Sequence, residues 1–318
     1  MYFPYVRGRQ YELLALRELI ENNLLSKFVV PIVEPVKLSS TLIKTMSTYI
    51  NAERQLSVIR NPLVGSFLKD LSDVKKDSKE ETYKNDFLSG YDESAIIKSV
   101  IMQQNAKSLL KHWDKNGVNK ADLLVINTDR EYLELYDYFF SDTVPKFVLL
   151  PDESAFRRRI RHHKVLLEDK FEKQSRNADY QEQTDEFFSD AHLYYKEDGF
   201  IGFSDYSVVG NEYLEAGFAP YAVAIHIVYF AKDRSLRVKH FVSDSNEDIT
   251  NPALKFYEAV SKLAKWYETE PHPVITTLGL KTFLQHYKQE TYPGLGTVKK
   301  LSLMHHIELM GKHLSEEN

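Results

Sequence analysis

Short apolar segments that alternate with helical spacers constrain the fold of this chain more than any other feature of its sequence. Each segment is rich in Leu, Ile, Val or Phe, which is typical of a strand buried on both faces of a parallel sheet. Eight such segments occur, and eight parallel strands are the number that closes a (β/α)8 barrel. The segments are residues 28–36, 56–62, 96–102, 123–127, 147–151, 164–169, 200–204 and 222–230.

Residues 7–23 have the periodicity of an opening amphipathic helix, and helical spacers lie between most of the segments, at 40–51, 104–115, 129–140 and 153–161. Strands that alternate with helices imply right-handed crossovers and a parallel sheet. We therefore predict an α/β fold of the TIM-barrel type, with the first helix outside the barrel or across one end. An open, doubly wound sheet remains the alternative.

Several stretches depart from a minimal barrel. Residues 70–93 form a charged excursion, and residues 170–199 form a long polar and aromatic insertion after the sixth strand, which we interpret as a lid. The eighth segment also reads as one arm of a β-hairpin with residues 236–242. Beyond it, we predict helices at 252–268, 276–287 and 297–313. The predicted domains are therefore a barrel at 1–243 and a helical extension at 244–318.

Composition excludes several classes of protein. Of 318 residues, 43% are apolar, which is enough for a sizeable core and excludes a wholly disordered chain. Cysteine is absent, so disulfides, thiolate nucleophiles and cysteine-based zinc sites are excluded. No apolar stretch is long enough to cross a bilayer and the chain does not open with a secretory signal, so we expect a cytoplasmic protein. A net charge of −5 argues against a broad nucleic-acid-binding face.

Polar residues follow the predicted strands at their carboxyl ends, where barrel enzymes place their active sites. The simpler, structural explanation is that strands commonly end in turns, which are rich in polar residues. Because many of these residues would converge on one rim, we predict a functional pocket instead. The candidate catalytic residues are Glu34, Arg60, Asn127, Glu168 and Asp205, and the candidate ligand-binding residues at the same rim are Asn61, Asp152, Asp169 and Tyr206, with Asp129 nearby.

Several carboxylates that face one cavity support two kinds of chemistry. Glu34, Glu168 and Asp205 could hold Mg²⁺ or Mn²⁺ through oxygen ligands. Alternatively, mutual repulsion could raise one pKa and leave a general acid beside a general base. Arg60 could neutralise one carboxylate or bind an anionic or phosphorylated ligand.

Two further regions carry candidate residues. Arg176, Asn177 and His192 in the insertion could reach the pocket when a lid closes, although a purely structural lid is the simpler interpretation. The basic run at 157–164 would suit nucleic acid, but its position on an outer helix favours a solvated face. His226 and His240 lie in strands and are expected to be core histidines. The chain has no P-loop, His-Glu-x-x-His or Gly-x-Ser-x-Gly motif, which argues against the corresponding NTPase, zinc peptidase and hydrolase classes.

Three segments also resemble a known family. The opening MYFPYVRGRQYELLALRE, the PIVEPV segment at 31–36 and the GFSDY segment at 202–206 resemble the bacterial and phage-linked "beta family" proteins. The resemblance extends over most of the chain, and it implies a cytoplasmic prokaryotic protein. It further implies one half of a two-gene cassette in mobile-element or antiphage-defence loci, with a nuclease-like protein partner. It implies no catalytic residue.

Three hypotheses about function follow. The first is a barrel enzyme or ligand sensor that acts on a small anionic or phosphorylated ligand. The second is a non-catalytic scaffold or partner subunit of a nuclease-like protein. The third is a nucleic-acid-binding protein that uses residues 157–164. Fold alone does not decide among them, because one fold supports many functions.

Overall fold

A computed structural model of the protein describes residues 1–214, 220–269 and 274–317. Its largest feature is a closed barrel of eight parallel strands, which confirms the predicted fold class. Around the barrel the strands follow chain order, and the last strand pairs with the first. The barrel strands are β1 (Tyr2–Val6), β2 (Ile32–Val33), β3 (Leu56–Ile59), β4 (Ile96–Ile101), β5 (Leu124–Ile126), β6 (Phe147–Leu150), β7 (Lys164–Glu168) and β9 (Gly202–Asp205).

Two of the predicted barrel strands need correction. The barrel begins with β1 at Tyr2–Val6, which the sequence analysis left unassigned, and the segment at 222–230 lies outside the barrel. Residues 28–36 form only the two-residue strand β2. Pro31 and Pro35 flank β2, and proline cannot donate a backbone hydrogen bond to a neighbouring strand.

Most predicted helices are confirmed to within a few residues. Helix α2 begins at Ser40, after Ser39, whose side chain accepts a hydrogen bond from the backbone N–H of Leu42. The helices in the first part of the chain are α1 (Gln10–Glu21), α2 (Ser40–Asn51), α3 (Phe67–Ser72), α4 (Lys79–Tyr91), α5 (Ala106–Lys115), α6 (Leu133–Phe140) and α7 (Ser154–Arg159).

The remaining elements form a small antiparallel sheet and helices. The strands of this antiparallel sheet are β8 (Asp185–Ser189), β10 (Ala224–Phe230) and β11 (Leu236–Val242), in the order β10-β11-β8. The predicted hairpin is therefore present, and a strand from the insertion joins it. The helices are α8 (Ala191–Tyr194), α9 (Pro252–Thr269), α10 (Leu278–Gln289) and α11 (Leu295–Glu316).

Contacts divide the chain into two compact units. The barrel unit contains residues 1–13, 27–168 and 194–205, and the second unit contains residues 14–26, 169–193 and 206–318. The predicted boundary at 243 differs from this division, because the insertion and the hairpin group with the C-terminal helices. No helix in the described ranges is long and apolar enough to cross a membrane.

The second unit is built around both faces of its sheet. Helix α9 packs on one face, where Trp266 contacts the rings of Tyr229 and Phe241. Helix α11 packs on the other face, where the ring of His306 contacts Phe188. His305 on α11 is fully buried, with Nε2 lying 2.7 Å from the carbonyl oxygen of Val228.

Candidate functional site

The register of the barrel strands shows which side chains point inward. The rings of Phe3 on β1 and Phe147 on β6 lie 4.8 Å apart although their strands are not neighbours, so both project into the barrel interior. Side chains alternate along a strand, and therefore Tyr5 also points inward. Tyr5 pairs with Ile32 of β2, and Glu34 follows two residues later on the same face.

Glu34 is the centre of a hydrogen-bonded group at the carboxyl ends of the barrel strands, which we term the barrel mouth. Its carboxylate accepts a hydrogen bond from the hydroxyl of Tyr5 at 2.7 Å and another from the backbone N–H of Leu63 at 2.6 Å. It also forms an ion pair with Arg7. The Glu34 side chain is fully buried, and the Arg7 side chain is 11% exposed. We call Tyr5, Arg7 and Glu34 the mouth cluster.

The loop after β1 brings further charge to the mouth cluster. Gly8 has φ +64°, and a Cβ there would lie 3.0 Å from the carbonyl oxygen of Glu34, so glycine permits the close approach of the two loops. Arg9 follows, and its backbone N–H donates to Glu12 at 3.2 Å. Burial raises the pKa of Glu12, whereas the charges and backbone groups of Arg9 and Arg7 oppose that shift.

Asn61 also lies at the mouth, two residues beyond β3 and in the inward alternation of Ser57 and Ile59. Its amide nitrogen donates to the carbonyl of Ile101 at 2.8 Å and to Asn105 at 2.9 Å, and its amide oxygen accepts from the N–H of Ile101 at 2.9 Å. The side chain is therefore saturated by the end of β4 and by Asn105, the residue that precedes α5. Asn61 fixes the ends of β3 and β4 rather than presenting a group to a ligand.

Arg60 and Asn127, two of the predicted catalytic residues, lie on the outer face of the barrel. Ser57 and Ile59 point inward, so Arg60 shares the outer face with Val58 and lies near Tyr91 of α4, with which it interacts electrostatically. Burial lowers the pKa of Arg60. By the same alternation Asn127 shares the outer face with Val125. Asn127 is fully buried, and neither amide atom has a hydrogen-bond partner among the described residues.

Asp205 and Glu168 are paired in register at the mouth end, but on the outer face. Tyr2 and Phe203 stack there with ring centroids 5.2 Å apart, and the Tyr2 hydroxyl donates to Asp205 at 2.8 Å. Burial, together with Asp205, raises the pKa of Tyr2 well above its usual value. The structure therefore does not bring Glu168 and Asp205 together with Glu34.

The predicted metal site finds no support in this geometry. The described residues contain no group of three His, Asp or Glu side chains arranged to hold a metal ion. Glu34, Glu168 and Asp205 were predicted to provide Mg²⁺ or Mn²⁺ ligands. Glu34 instead has a permanent cation beside it in Arg7, and Asp205 accepts from Tyr2.

The other predicted rim residues have local partners. Asp152 forms an ion pair with Arg157 at 3.1 Å, and Asp129 accepts from the N–H of Glu131. Asp169 and Tyr206 are the first residues of second-unit segments, where Asp169 accepts from the N–H of Asn211 at 2.9 Å. Tyr206 precedes a short 3-10 helix at Ser207–Val209.

The predicted lid residues belong to the second unit and have partners there. His192 is buried with its Nε2 2.9 Å from the carbonyl oxygen of Arg234 and its ring against Phe230. Arg176 forms an exposed ion pair with Asp179 at 2.8 Å. Asn177 donates to the carbonyl of Ala222 at 2.9 Å. These contacts indicate structural roles within the unit.

The basic run at 157–164 is partly neutralised. Arg157 pairs with Asp152, and Arg159 pairs with Asp137 at 2.7 Å. Lys164 lies over the ring of Phe200. A recess of about 460 Å³ lies near the amino ends of β4 and β5, opposite the mouth, and its charged lining residues include Asp92, Glu93, Lys98, Asp122 and Lys146. Residues at that end of such barrels usually serve stability, so we place the candidate site at the mouth.

Two residues of the mouth cluster were missed in the sequence. Arg7 was assigned to the start of a helix, and Tyr5 was not assigned to any element. The sequence did contain a signal, because Tyr2–Val6 is apolar throughout and is followed by a glycine between two arginines. A strand followed by such a loop is typical of the start of a β/α unit.

Comparison with known proteins adds no relative to this description. The chain matches no family model, no curated protein and no solved structure. The functional argument therefore depends on the geometry of the described residues.

Proposed function

We propose that the barrel mouth binds a small anionic or phosphorylated ligand, as an enzyme or a ligand sensor, and that Arg7 is the group that contacts the anion. The observation that carries this proposal is the ion pair of Arg7 with the fully buried Glu34 at the carboxyl ends of β1 and β2. Barrel proteins bind their ligands at this end of the sheet.

The energetics of the pair favour a functional role. Removing two charges from water costs several kcal/mol per ion, roughly, and apolar side chains in the same space are often as stable. Glu34 has three donors, from Tyr5, Arg7 and Leu63, which fix its orientation. A carboxylate held in this way orients the planar guanidinium, and an oriented guanidinium binds carboxylate or phosphate oxygens in a bidentate manner.

The charge balance of the surrounding loop points to the same class of ligand. Arg7 and Arg9 provide two permanent positive charges, against Glu34 and Glu12. Because burial raises the pKa of Glu12, that carboxyl group is shifted towards its neutral form. A smaller negative charge on Glu12 makes this loop more attractive to an anion.

If the site is catalytic, its chemistry is stabilisation of negative charge. A guanidinium held by a buried carboxylate is a preorganised donor, and such donors stabilise oxyanions that develop in a transition state. Glu34 itself is saturated by donors and is a poor candidate for a general base.

The other hypotheses have less support from the contacts. Two arginines of the basic run are paired with carboxylates, which reduces its attraction for nucleic acid. The nuclease-like partner and the defence-type cassette remain proposals that follow from the sequence resemblance.

A thermal shift assay with inorganic pyrophosphate tests the proposal. We expect pyrophosphate to raise the melting temperature of the wild type, and the double variant Arg7→Met/Glu34→Gln to lose that response, because both members of the pair are replaced without leaving a buried charge. Arg130→Met, which removes a surface ion pair, is the matched control. An equal pyrophosphate response in wild type and double variant would place the anion elsewhere and reject the proposal.

A further inference from the structure

The recess at the amino ends of β4 and β5 is a feature of the barrel unit that the mouth cluster does not involve. It encloses about 460 Å³, and all of its lining residues belong to the barrel unit. The amino end of such a barrel usually serves stability. An end that serves stability alone is expected to be closely packed, which a hollow of this size is not. The volume lies instead in the range of small-molecule binding sites.

The recess has an apolar floor and charged walls. Ile97 and Leu123 line it and are buried, so they belong to its floor. One wall is the segment 92–94, which leads into β4, and another comes from the segment 118–122, which leads towards β5. Lys146, the residue before β6, completes the lining. This combination suits a ligand that has both a hydrocarbon part and charged groups.

Two of the charged residues in the lining already satisfy each other. Lys98 forms an ion pair with Asp92 at 2.9 Å, and its ammonium group also donates to the carbonyl of Tyr91 at 2.7 Å. Asp122, by contrast, is held through one carboxylate oxygen, which accepts from the amide of Asn119 at 2.9 Å. The Asn119 contact therefore orients Asp122 and leaves its other oxygen for a ligand.

Two further charges in the lining have no ionic partner. Glu93 and Lys146 do not pair with each other, and among the described residues neither has another ion-pair partner. The ammonium group of Lys146 lies 5.8 Å from the centroid of the Phe147 ring. Three charged groups of the recess are therefore available, namely the carboxylates of Glu93 and Asp122 and the ammonium group of Lys146. Together they leave one negative charge in excess.

The order of the strands fixes the order of these three groups. Glu93 precedes β4, Asp122 precedes β5 and Lys146 precedes β6, and these strands are neighbours in the barrel. Neighbouring strands lie about 4.8 Å apart. The recess therefore presents a cation at one side, a carboxylate in the middle and a second carboxylate at the other side. A matching ligand has an anionic group, a cationic group next to it and a second cationic group further along.

We propose that this recess binds a basic α-amino acid. Its α-carboxylate pairs with Lys146, its α-ammonium group with Asp122 and its side-chain cation with Glu93. The methylene chain of the ligand lies on the apolar floor formed by Ile97 and Leu123. A basic amino acid carries one net positive charge, which cancels the excess negative charge of the recess, whereas a neutral or acidic amino acid does not.

Isothermal titration calorimetry of the full chain with L-lysine tests the ligand class. Three analogues each lack one charged group: cadaverine lacks the carboxylate, ε-aminocaproate the α-ammonium group and L-norleucine the side-chain ammonium group. We expect the wild type to bind L-lysine and to bind each analogue more weakly by roughly tenfold, about 1.4 kcal/mol. No binding of L-lysine at millimolar concentration, or equal binding of L-lysine and its analogues, would overturn the proposal. The mouth variant Arg7→Met/Glu34→Gln should bind L-lysine as the wild type does, so the outcome is independent of the mouth.

Variants measured with the same analogues test which residue binds which group. Lys146→Met should weaken the binding of L-lysine by roughly tenfold but leave that of cadaverine unchanged, because cadaverine has no carboxylate to lose a partner. Glu93→Gln should likewise weaken the binding of L-lysine and leave that of L-norleucine unchanged. Lys111→Met and Glu80→Gln, at exposed positions on α5 and α4, are the matched controls and should bind L-lysine normally. Equal L-lysine affinity in Lys146→Met and Lys111→Met would reject the proposed site.

Discussion

The two units of this protein use histidine in different ways. The barrel unit has His112, His162 and His163, and all three are exposed. Among its described residues the second unit buries five histidines, and two more, His226 and His286, are half-buried; the buried ones are His192, His240, His305, His306 and His313. In the barrel, the buried carboxylate Glu34 has a permanent cation as its partner. The comparison indicates that mild acid should destabilise the second unit, because its buried histidines must take up protons. The mouth cluster contains no histidine, so its ion pair should be less sensitive to the same change of pH.

The largest expected effect is acid destabilisation of the second unit. Burial lowers the pKa of His305 to about 4 and that of His306 to about 3, from an ordinary value of 6.5. The unfolded chain therefore binds more protons, so this stabilisation is complete above about pH 6.5 and is lost as the pH falls towards 4. At about 1.4 kcal/mol per pKa unit, the two residues together destabilise the unit on the order of 5 kcal/mol at pH 4.

The two tryptophans allow this effect to be measured in each unit. Trp113 lies on α5 of the barrel unit and Trp266 on α9 of the second unit, so Trp113→Phe and Trp266→Phe each leave one fluorescent reporter. In urea titrations at several pH values between 6.5 and 4, we expect the emission of Trp266 to change at a lower urea concentration than the emission of Trp113. Equal midpoints for both reporters across this pH range would contradict the comparison.

The next largest effect concerns the mouth cluster. Arg7→Met leaves the buried Glu34 without its ion-pair partner, which should lower the free energy of unfolding by about 3–5 kcal/mol. Replacing the partner as well, in Arg7→Met/Glu34→Gln, should restore most of that loss. Urea unfolding followed by Trp113 fluorescence measures both variants. If Arg7→Met alone lowers the free energy of unfolding by less than about 1 kcal/mol, the ion pair of Arg7 with Glu34 behaves like a solvent-exposed pair, contrary to this prediction.

A smaller effect is expected at the loop that brings Arg7 to Glu34. Gly8→Ala combines a left-handed backbone at φ +64° with a Cβ only 3.0 Å from the carbonyl oxygen of Glu34. We expect a loss of about 1–3 kcal/mol. Gly117→Ala is the matched control, since it has φ +72° with no atom within 4 Å of the new Cβ. Equal losses in the two variants would show that the close approach to Glu34 contributes nothing.

The smallest effect concerns Asn127. Its amide is buried and without a partner among the described residues, so Asn127→Leu should be neutral or should stabilise the barrel by about 1 kcal/mol. Urea unfolding again provides the measurement. A loss of more than about 1 kcal/mol would instead indicate that a buried water molecule or a ligand bonds to the amide.

The sequence predicted the barrel because its evidence is repeated along the chain. Each apolar segment from 56–62 to 200–204 corresponds to a barrel strand. An error in one segment does not hide the alternation of strands and helices in the others. The first strand was missed because a single short segment, Tyr2–Val6, contains a proline and precedes a helix that seemed to begin at Arg7. The eighth was misassigned because 222–230 has the same composition as a barrel strand but pairs antiparallel.

The candidate site was harder to predict than the fold. Strand ends show which residues lie at the mouth, and Glu34 and Asn61 were found in that way. Whether a side chain points inward depends on the alternation of the strand that carries it, and a shift of one residue reverses the face. Four predicted residues therefore follow the ends of strands, as the sequence criterion requires, but lie on the outer face of the barrel: Arg60, Asn127, Glu168 and Asp205. The contacts of His240 with His226 and Glu186 depend on the register of β10, β11 and β8, which no local pattern reveals.

Native mass spectrometry of the protein purified from its own cells tests the anion-binding mouth most directly. We predict that the wild type retains a small anionic molecule and that Arg7→Met/Glu34→Gln, purified in the same way and confirmed as folded, has lost it. The Arg130→Met variant should keep the same molecule, because it removes only a surface ion pair. A wild-type spectrum with only the mass of the polypeptide, or a molecule retained equally by the double variant, would contradict the account.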